Sequence, residues 1–256
     1  MKKGLFIVPL AVCAMAITSC GAPTVSKEVA LQEANSIRQS IEESGDYVAG
    51  KKFQLITSIE QNIPTGSGIV LSSTKGEYNF DIDNNYCGMI SKTTLQQSGV
   101  KQTTEEKGYV YLLDGQSHIG FERKINGEVA DSQDLVGDYV PAEFEEAILS
   151  IYESITEVFE TAVVAIFTYL NSFPSDEALK AAGVTLGSYG AGSLVIEEHI
   201  NNKAGGYSAK SDTVIEFKDY KLKEMKSTFD YKLPGNTSAG NLSYVFNYGK
   251  CNTNIR

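Results

Sequence analysis

The spacing of apolar residues along the chain changes between helical and strand periods. Between residues 27 and 44 apolar residues recur every three or four positions, which predicts an amphipathic helix capped at its start by Ser26. From Phe53 to Ile59 the period is two, and similar alternation continues to about residue 125. A period of two puts apolar side chains on one side of a strand. This part of the chain is therefore predicted to form an antiparallel sheet with one buried face.

Short polar segments separate the predicted strands. Asp114–Gly115 and Asn126–Gly127 favour the positive φ angles that tight hairpins require. Lys75–Gly76 and residues 83–85 are predicted to turn the chain as well, and the glycine-rich stretch from Gly183 to Gly192 is predicted to be a loop. The strands between these turns form a meander.

The strongest helical pattern in the chain begins at Pro141. Apolar residues recur at helical spacing to Leu170, which corresponds to about seven turns. The first half of this helix carries glutamates on its other face, but the run from Thr161 to Leu170 has no charged residue. That run is too short to span a membrane. We expect it to lie against the sheet or to line an apolar space.

The remaining elements complete the fold prediction. A short helix to about Ala182 follows Pro174, and strands then resume, most clearly from Met225 to Leu233 and from Leu242 to Tyr248. The sequence therefore predicts an α+β fold, in which a curved antiparallel β-sheet, an incomplete barrel, packs against an N-terminal helix and a central long apolar helix. Residues 27–256 are predicted to form a single domain.

The first residues of the chain have the composition of an export signal. Lys2 and Lys3 precede an apolar run from Leu5 to Ile17, which is shorter than the roughly 20 residues of a spanning helix. The run ends in the motif Ile17-Thr18-Ser19-Cys20.

This motif resembles the lipobox of bacterial lipoproteins. The resemblance implies that residues 1–19 are cleaved, that Cys20 is diacylated and that residues 20–26 form a tether. It also implies that the protein is exported and held on the extracytoplasmic face of a bacterial membrane. Two acyl chains hold a protein stably, whereas one gives only marginal membrane residence. An ordinary signal peptide with an incidental cysteine is the alternative.

The charge of the chain restricts its partners. The chain has 22 Lys and Arg residues against 32 Asp and Glu residues, for a formal net charge of −10. Such an acidic chain is not expected to bind nucleic acid or to adhere to an anionic membrane surface. The expected partners are the membrane, through Cys20, together with a lipid ligand or a protein at the cell surface.

Two cysteines remain once Cys13 leaves with the signal and Cys20 takes lipid. Cys87 and Cys251 then lie in an oxidising compartment, where a disulfide persists. A loop of this length would stabilise the fold by about 4 to 5 kcal/mol in the chain-entropy model. The alternative, in which Cys87 and Cys251 remain two separate thiols, has equal weight.

Motifs for catalysis are absent or incomplete in the sequence. Residues 81–85 begin like a calcium loop, but Tyr86 and Lys92 stand where glycine and glutamate are needed. The two histidines, His118 and His199, are too few for an ordinary metal site and are expected on exposed strands. We therefore predict no catalytic residue, no metal and no cofactor, and rank an enzyme third among the functions considered.

The order of elements behind an acylated cysteine resembles the LolA, LolB and LppX group of lipoprotein carriers and lipid-binding lipoproteins. That resemblance implies a curved sheet that holds acyl chains between itself and its helices. The expected function is therefore binding of a hydrophobic ligand, and the alternative is a protein or glycan interaction module with a filled core. The residues expected to line the cavity are Phe80, Tyr111, Phe159, Val163, Ile166, Phe167, Phe229, Tyr231, Tyr244 and Phe246.

Overall fold

The structure, a computed structural model, describes residues 22–44, 50–204, 207–233 and 236–255. Within these ranges the side chains of residues 155, 158–163, 204, 233 and 236 are not described. The predicted signal sequence and Cys20 lie outside the described residues.

Three α-helices form where the sequence predicts them. They are α1 (Lys27–Glu43), α2 (Pro141–Ser172) and α3 (Asp176–Ala181). The Ser26 hydroxyl accepts a hydrogen bond from the Val29 amide and so caps α1. Pro141 occupies the first turn of α2, where its missing amide hydrogen costs nothing.

Eleven strands make up the rest of the described fold, with a short 3₁₀ turn at Ile82–Asn84. The strands are β1 (Lys52–Thr65), β2 (Gly68–Asp81), β3 (Tyr86–Gln97), β4 (Val100–Leu113), β5 (Gln116–Ile125), β6 (Glu128–Asp138), β7 (Val184–Gly187), β8 (Leu194–Ala204), β9 (Tyr207–Lys218), β10 (Lys221–Leu233) and β11 (Asn236–Tyr248).

All eleven strands belong to one antiparallel sheet that does not close. Its order is β6-β5-β4-β3-β2-β1-β11-β10-β9-β8-β7, so that the first and last strands of the chain pair at the centre. At the β7 edge, the Val25 amide donates to the Leu186 carbonyl. The fold is therefore the predicted α+β arrangement of a curved antiparallel sheet with helices.

Two turn predictions are confirmed by the backbone. Asp114 and Gly115 have φ angles of 52° and 79°, and Asn126 and Gly127 have φ angles of 53° and 87°. Both pairs therefore adopt the left-handed conformation of tight hairpins.

Two other local predictions are wrong. Lys75–Gly76 does not turn the chain but lies inside β2. At Gly76 a Cβ atom would lie only 2.8 Å from Cε2 of Tyr78, so glycine makes room for this ring within the strand. The predicted loop from Gly183 to Gly192 begins with β7, because residues 184–187 pair with β8.

The helices cover only one end of one sheet face. We call this the inner face; it carries Phe53, Leu55 and Phe80, which are all buried. The opposite side is the outer face. The turns β1–β2, β3–β4, β5–β6, β8–β9 and β10–β11 all lie at the far end of the strands, which we call the turn end. At the turn end, most side chains of the inner face are half-buried or exposed, although Ser211 is buried.

Candidate functional site

The predicted cavity between sheet and helices is occupied by packed aromatic rings at the start of β1. The ring of Phe53 stacks on Phe80 with centroids 5.0 Å apart and lies 5.7 Å from Phe246. Tyr152 of α2 meets Phe53 and Phe80 edge-on at 5.9 and 5.6 Å. These separations are those of directly packed aromatic pairs. Phe80 and Phe246 are therefore core residues.

A small void lies further along α2, between the two long helices and the sheet. Ile166 and Phe167 line it together with residues of α1, β8 and β9. Its volume is about 10 Å³, which is at the lower limit for holding a single water molecule. In the described part of the chain, this void is too small for an acyl chain.

The other predicted cavity residues do not converge with these. Tyr111 stacks on His118, with centroids 4.7 Å apart and ring planes 3° from parallel. The side chains of Phe159 and Val163 lie outside the described residues. Phe229, Tyr231 and Tyr244 are all on the inner face, and the Phe229 and Tyr231 rings stack at 5.5 Å. Tyr244 lies apart from them: it pairs with Met225 and packs against the core.

The inner face near the turn end is uncharged across seven strands, from β9 to β4. Register places two rows of residues side by side on this face, and none of their members is ionisable. The rows are Ser211, Phe229, Gly240, Gln61, Ser72, Leu95, Gln102 and Thr213, Ser227, Leu242, Ile59, Thr74, Thr93, Thr104. We call these two rows, with Ile63, Val100 and Tyr231 beside them, the uncharged face.

Apolar side chains on the uncharged face are open to solvent. Leu95 is 41% exposed, Tyr231 38% and Val100 73%. This surface continues from the buried core along the same strands, since Thr57 and Leu55 precede Ile59 on β1. The helices thus cover the apolar part of this sheet face and leave accessible an uncharged part, in which apolar side chains lie among hydroxyl and amide groups.

A groove of about 570 Å³ lies on the outer face at the same end of the sheet. Two further cross-strand rows form its floor across six strands, from β9 to β3. They are Asp212, Thr228, Asn241, Glu60, Ser73, Thr94 and Lys210, Asp230, Ala239, Asn62, Leu71, Gln96. Gln61, Ser72, Phe229 and Gly240, which belong to a row of the uncharged face, also border the groove. We call this site the polar groove.

Carboxylates dominate the charge of the polar groove. Asp212 Oδ1 lies 2.7 Å from Nδ1 of His199, at one end of the groove. Asp230 Oδ2 lies 3.5 Å from Nζ of Lys232, whereas its buried Oδ1 has no hydrogen-bond partner among the described residues. With Glu60, three carboxylates line the groove, against the ammonium group of Lys210 in the lining and that of Lys232 beside Asp230.

The sequence did not single out the polar groove. Its residues occupy the polar positions of the period-two pattern, which is the ordinary signature of a strand's solvent side. The groove takes its lining from six strands that only the folded sheet brings side by side, and the sequence carries no local signal for this assembly.

The C-terminal segment is held against the outer face by a shared carboxylate. Glu77 Oε1 accepts hydrogen bonds from the amides of Gln54, Asn79 and Asn252 at 3.1, 2.9 and 3.1 Å. Burial would raise the pKa of Glu77, but these hydrogen bonds outweigh burial and hold the pKa below its ordinary value.

Both remaining cysteines are free thiols in the structure. Burial raises the pKa of Cys87 to about 12, and the nearby Cys251 contributes to this shift. Burial likewise raises the pKa of the half-buried Cys251 to about 11. The disulfide between them stays a prediction.

The described residues contain neither a metal-binding cluster nor a membrane-spanning helix. Among them, no three or more His, Cys, Asp or Glu side chains are grouped so that they could hold a metal ion. No helix in the described ranges combines the length and the apolar character needed to cross a membrane.

Comparisons with known proteins provide little further information. No family model matches the chain, and no curated protein matches it in sequence. Among solved structures, the chain is similar to the crystal structure of a beta-barrel-like protein of the domain of unknown function DUF1849 from Brucella abortus. The TM-score is 0.28 and the identity 7%, over 78% of this chain and 99% of the other.

Proposed function

We propose that this is an exported protein, anchored to a membrane through diacylated Cys20, that binds the acyl chains of a lipid on the uncharged face. The observation that carries the proposal is the pair of inner-face rows without an ionisable residue, flanked by exposed apolar side chains. Burial of exposed apolar surface is the driving force.

The site differs in place from the one expected from sequence. The space between the sheet and α2 is occupied around Tyr152 by packed rings, so a ligand there would have to displace α2. The uncharged face requires no such displacement. It retains Phe229 and Tyr231 from the expected set of ligand-binding residues.

The energetics favour a lipid with two acyl chains. Full burial of one methylene is worth about 0.8 kcal/mol, so contact on one side is worth roughly 0.4 kcal/mol. A chain of about 15 methylenes then gains about 6 kcal/mol and two chains about 12 kcal/mol. Association costs on the order of 4 to 15 kcal/mol. A single fatty acid is therefore expected to bind weakly.

Lipid binding is tested with the chain from residue 20 onward, in which Cys20 is replaced by serine (C20S). Native mass spectrometry and titration with a fluorescent diacyl phospholipid are expected to show binding. Leu95→Lys and Tyr231→Lys are each expected to weaken it at least tenfold, because a charge would be buried under the acyl chains. Val164→Lys is the matched control, since Val164 is 63% exposed on α2, away from this face.

Two outcomes would contradict the lipid proposal. One is the absence of any lipid complex, which would favour the alternative of an interaction module that binds a protein. The other is a lipid affinity that is the same in Leu95→Lys, Tyr231→Lys and Val164→Lys, because the lipid would then bind elsewhere on the protein.

Anchorage is tested separately in bacterial cells. Labelled palmitate is expected to be incorporated into the chain and to be lost in Cys20→Ser. Incorporation that persists in Cys20→Ser would contradict the lipobox assignment.

A further inference from the structure

We propose that the polar groove is a second binding site, which takes an uncharged oligosaccharide. The groove lies mainly on the opposite face of the sheet from the proposed lipid site, although four residues of the uncharged face, Gln61, Ser72, Phe229 and Gly240, also border it. Its floor is formed by the two outer-face rows that cross strands β9, β10, β11, β1, β2 and β3. With strands about 4.8 Å apart, the six strands give the groove a length of about 24 Å, which suits an extended oligomer.

The charge of the groove argues against an anionic ligand. Glu60, Asp212 and Asp230 line it together with Lys210, and the Lys232 ammonium group lies 3.5 Å from Asp230 Oδ2. A phosphate, a nucleic acid or an acidic polysaccharide would meet a net negative surface on a chain whose net charge is −10.

The position of the groove argues against a peptide that binds as an added strand. Such a peptide needs an unpaired strand edge, whose backbone groups it bonds. Each of the six strands under the groove has a neighbour on both sides. The groove therefore offers side chains rather than free backbone edges.

The lining matches the hydrogen-bonding needs of sugar hydroxyl groups. Amides of Asn62, Gln96 and Asn241 both donate and accept, and the hydroxyls of Ser73, Thr94 and Thr228 do the same. Carboxylates add strong acceptors, and Asp230 Oδ1 lacks a partner among the described residues. Only a few apolar side chains, such as that of Leu71, contribute to the lining. A hydroxyl-rich, uncharged ligand satisfies this set of groups.

The test uses an immobilised panel of neutral oligosaccharides of glucose, galactose, mannose and N-acetylglucosamine, each of at least four units. Oligogalacturonate serves as the anionic comparison. We expect at least one neutral member to bind the chain from residue 20 onward with C20S, and oligogalacturonate not to bind. Calorimetry then measures the affinity of the best neutral ligand.

Asn241→Ala is expected to weaken that affinity about five- to tenfold, because it removes a donor and an acceptor from the middle of the groove. Asn247→Ala is the matched control on the same strand and face. It lies six residues away, about 20 Å along the strand, and is expected to bind within twofold of the parent chain. Leu95→Lys, on the inner face, is also expected to leave this affinity unchanged.

Three results would overturn the assignment. They are the absence of any bound neutral oligosaccharide, equal binding of oligogalacturonate, and an Asn241→Ala affinity equal to that of Asn247→Ala. Loss of saccharide binding in Leu95→Lys would show instead that the two faces are not independent.

Discussion

Replacement of Tyr152 by alanine tests whether the space between α2 and the sheet is a packed core or a ligand cavity. Tyr152 is only 1% exposed, and its ring packs edge-on against Phe53 and Phe80. Truncation of a buried aromatic residue costs about 3 to 5 kcal/mol, to which lost ring–ring contacts contribute roughly 0.5 to 1.5 kcal/mol. We expect a loss of about 4 kcal/mol in the free energy of unfolding.

The assay is thermal and denaturant unfolding followed by circular dichroism. For a domain of this size, 1 kcal/mol corresponds to about 2 to 4 °C, so Tm is expected to fall by about 8 to 16 °C. Tyr152→Phe keeps the ring and is expected to cost about 1 kcal/mol or less. If Tyr152→Ala instead kept its Tm within about 3 °C and lost lipid binding, the space would be a ligand cavity and the reasoning would fail.

Three further predictions concern pH, thiol chemistry and sheet packing. Glu77→Gln is expected to cost about 1 to 2 kcal/mol at pH 7. Because the pKa of Glu77 is lowered in the fold, its contribution to stability is complete above the ordinary glutamate pKa and is lost as the pH falls through the folded pKa. Urea unfolding at several pH values measures this loss. On alkylation at pH 8, Cys251 is expected to react before Cys87, which is more deeply buried. In denaturant, both thiols are expected to react at the rates of an unfolded chain. If neither cysteine is labelled unless a reductant is added, the predicted disulfide is present. Gly120→Ala is expected to lower the free energy of unfolding by about 1 to 2 kcal/mol, because the new Cβ would lie 2.1 Å from Cζ of Tyr109. Amide hydrogen exchange in β5 and β6 is expected to become faster, and unchanged exchange would contradict this packing.

Much of the fold could be predicted from local pattern. The Asp114–Gly115 and Asn126–Gly127 hairpins and the extent of α2 from Pro141 follow from turn chemistry and helical periodicity, which depend on neighbours in sequence. Gly76 was predicted wrongly for the opposite reason. Its place inside β2 follows from pairing with Thr57 of β1 and Ser91 of β3, which are distant in sequence and which the local pattern does not reveal.

The candidate sites were less accessible to prediction. Sequence assigned Phe80 and Tyr231 to one cavity because both face the same side of the sheet. The structure separates them, since α2 packs on Phe80 through Tyr152 and leaves Tyr231 uncovered. Strand alternation determines which side a residue faces but not how much of that side a helix covers.

The sequence by itself thus determined most of the elements, the polarity of their strand faces and the motif around Cys20, because these are properties of residues near one another along the chain. Only the tertiary structure decided that the helices pack over one end of the inner face and that the outer face curves into a groove. Asp212 and Glu60 reach that groove from strands about 150 residues apart in sequence, through pairing that no short segment encodes. Coverage and curvature are properties of the assembled sheet, and both proposed sites depend on them.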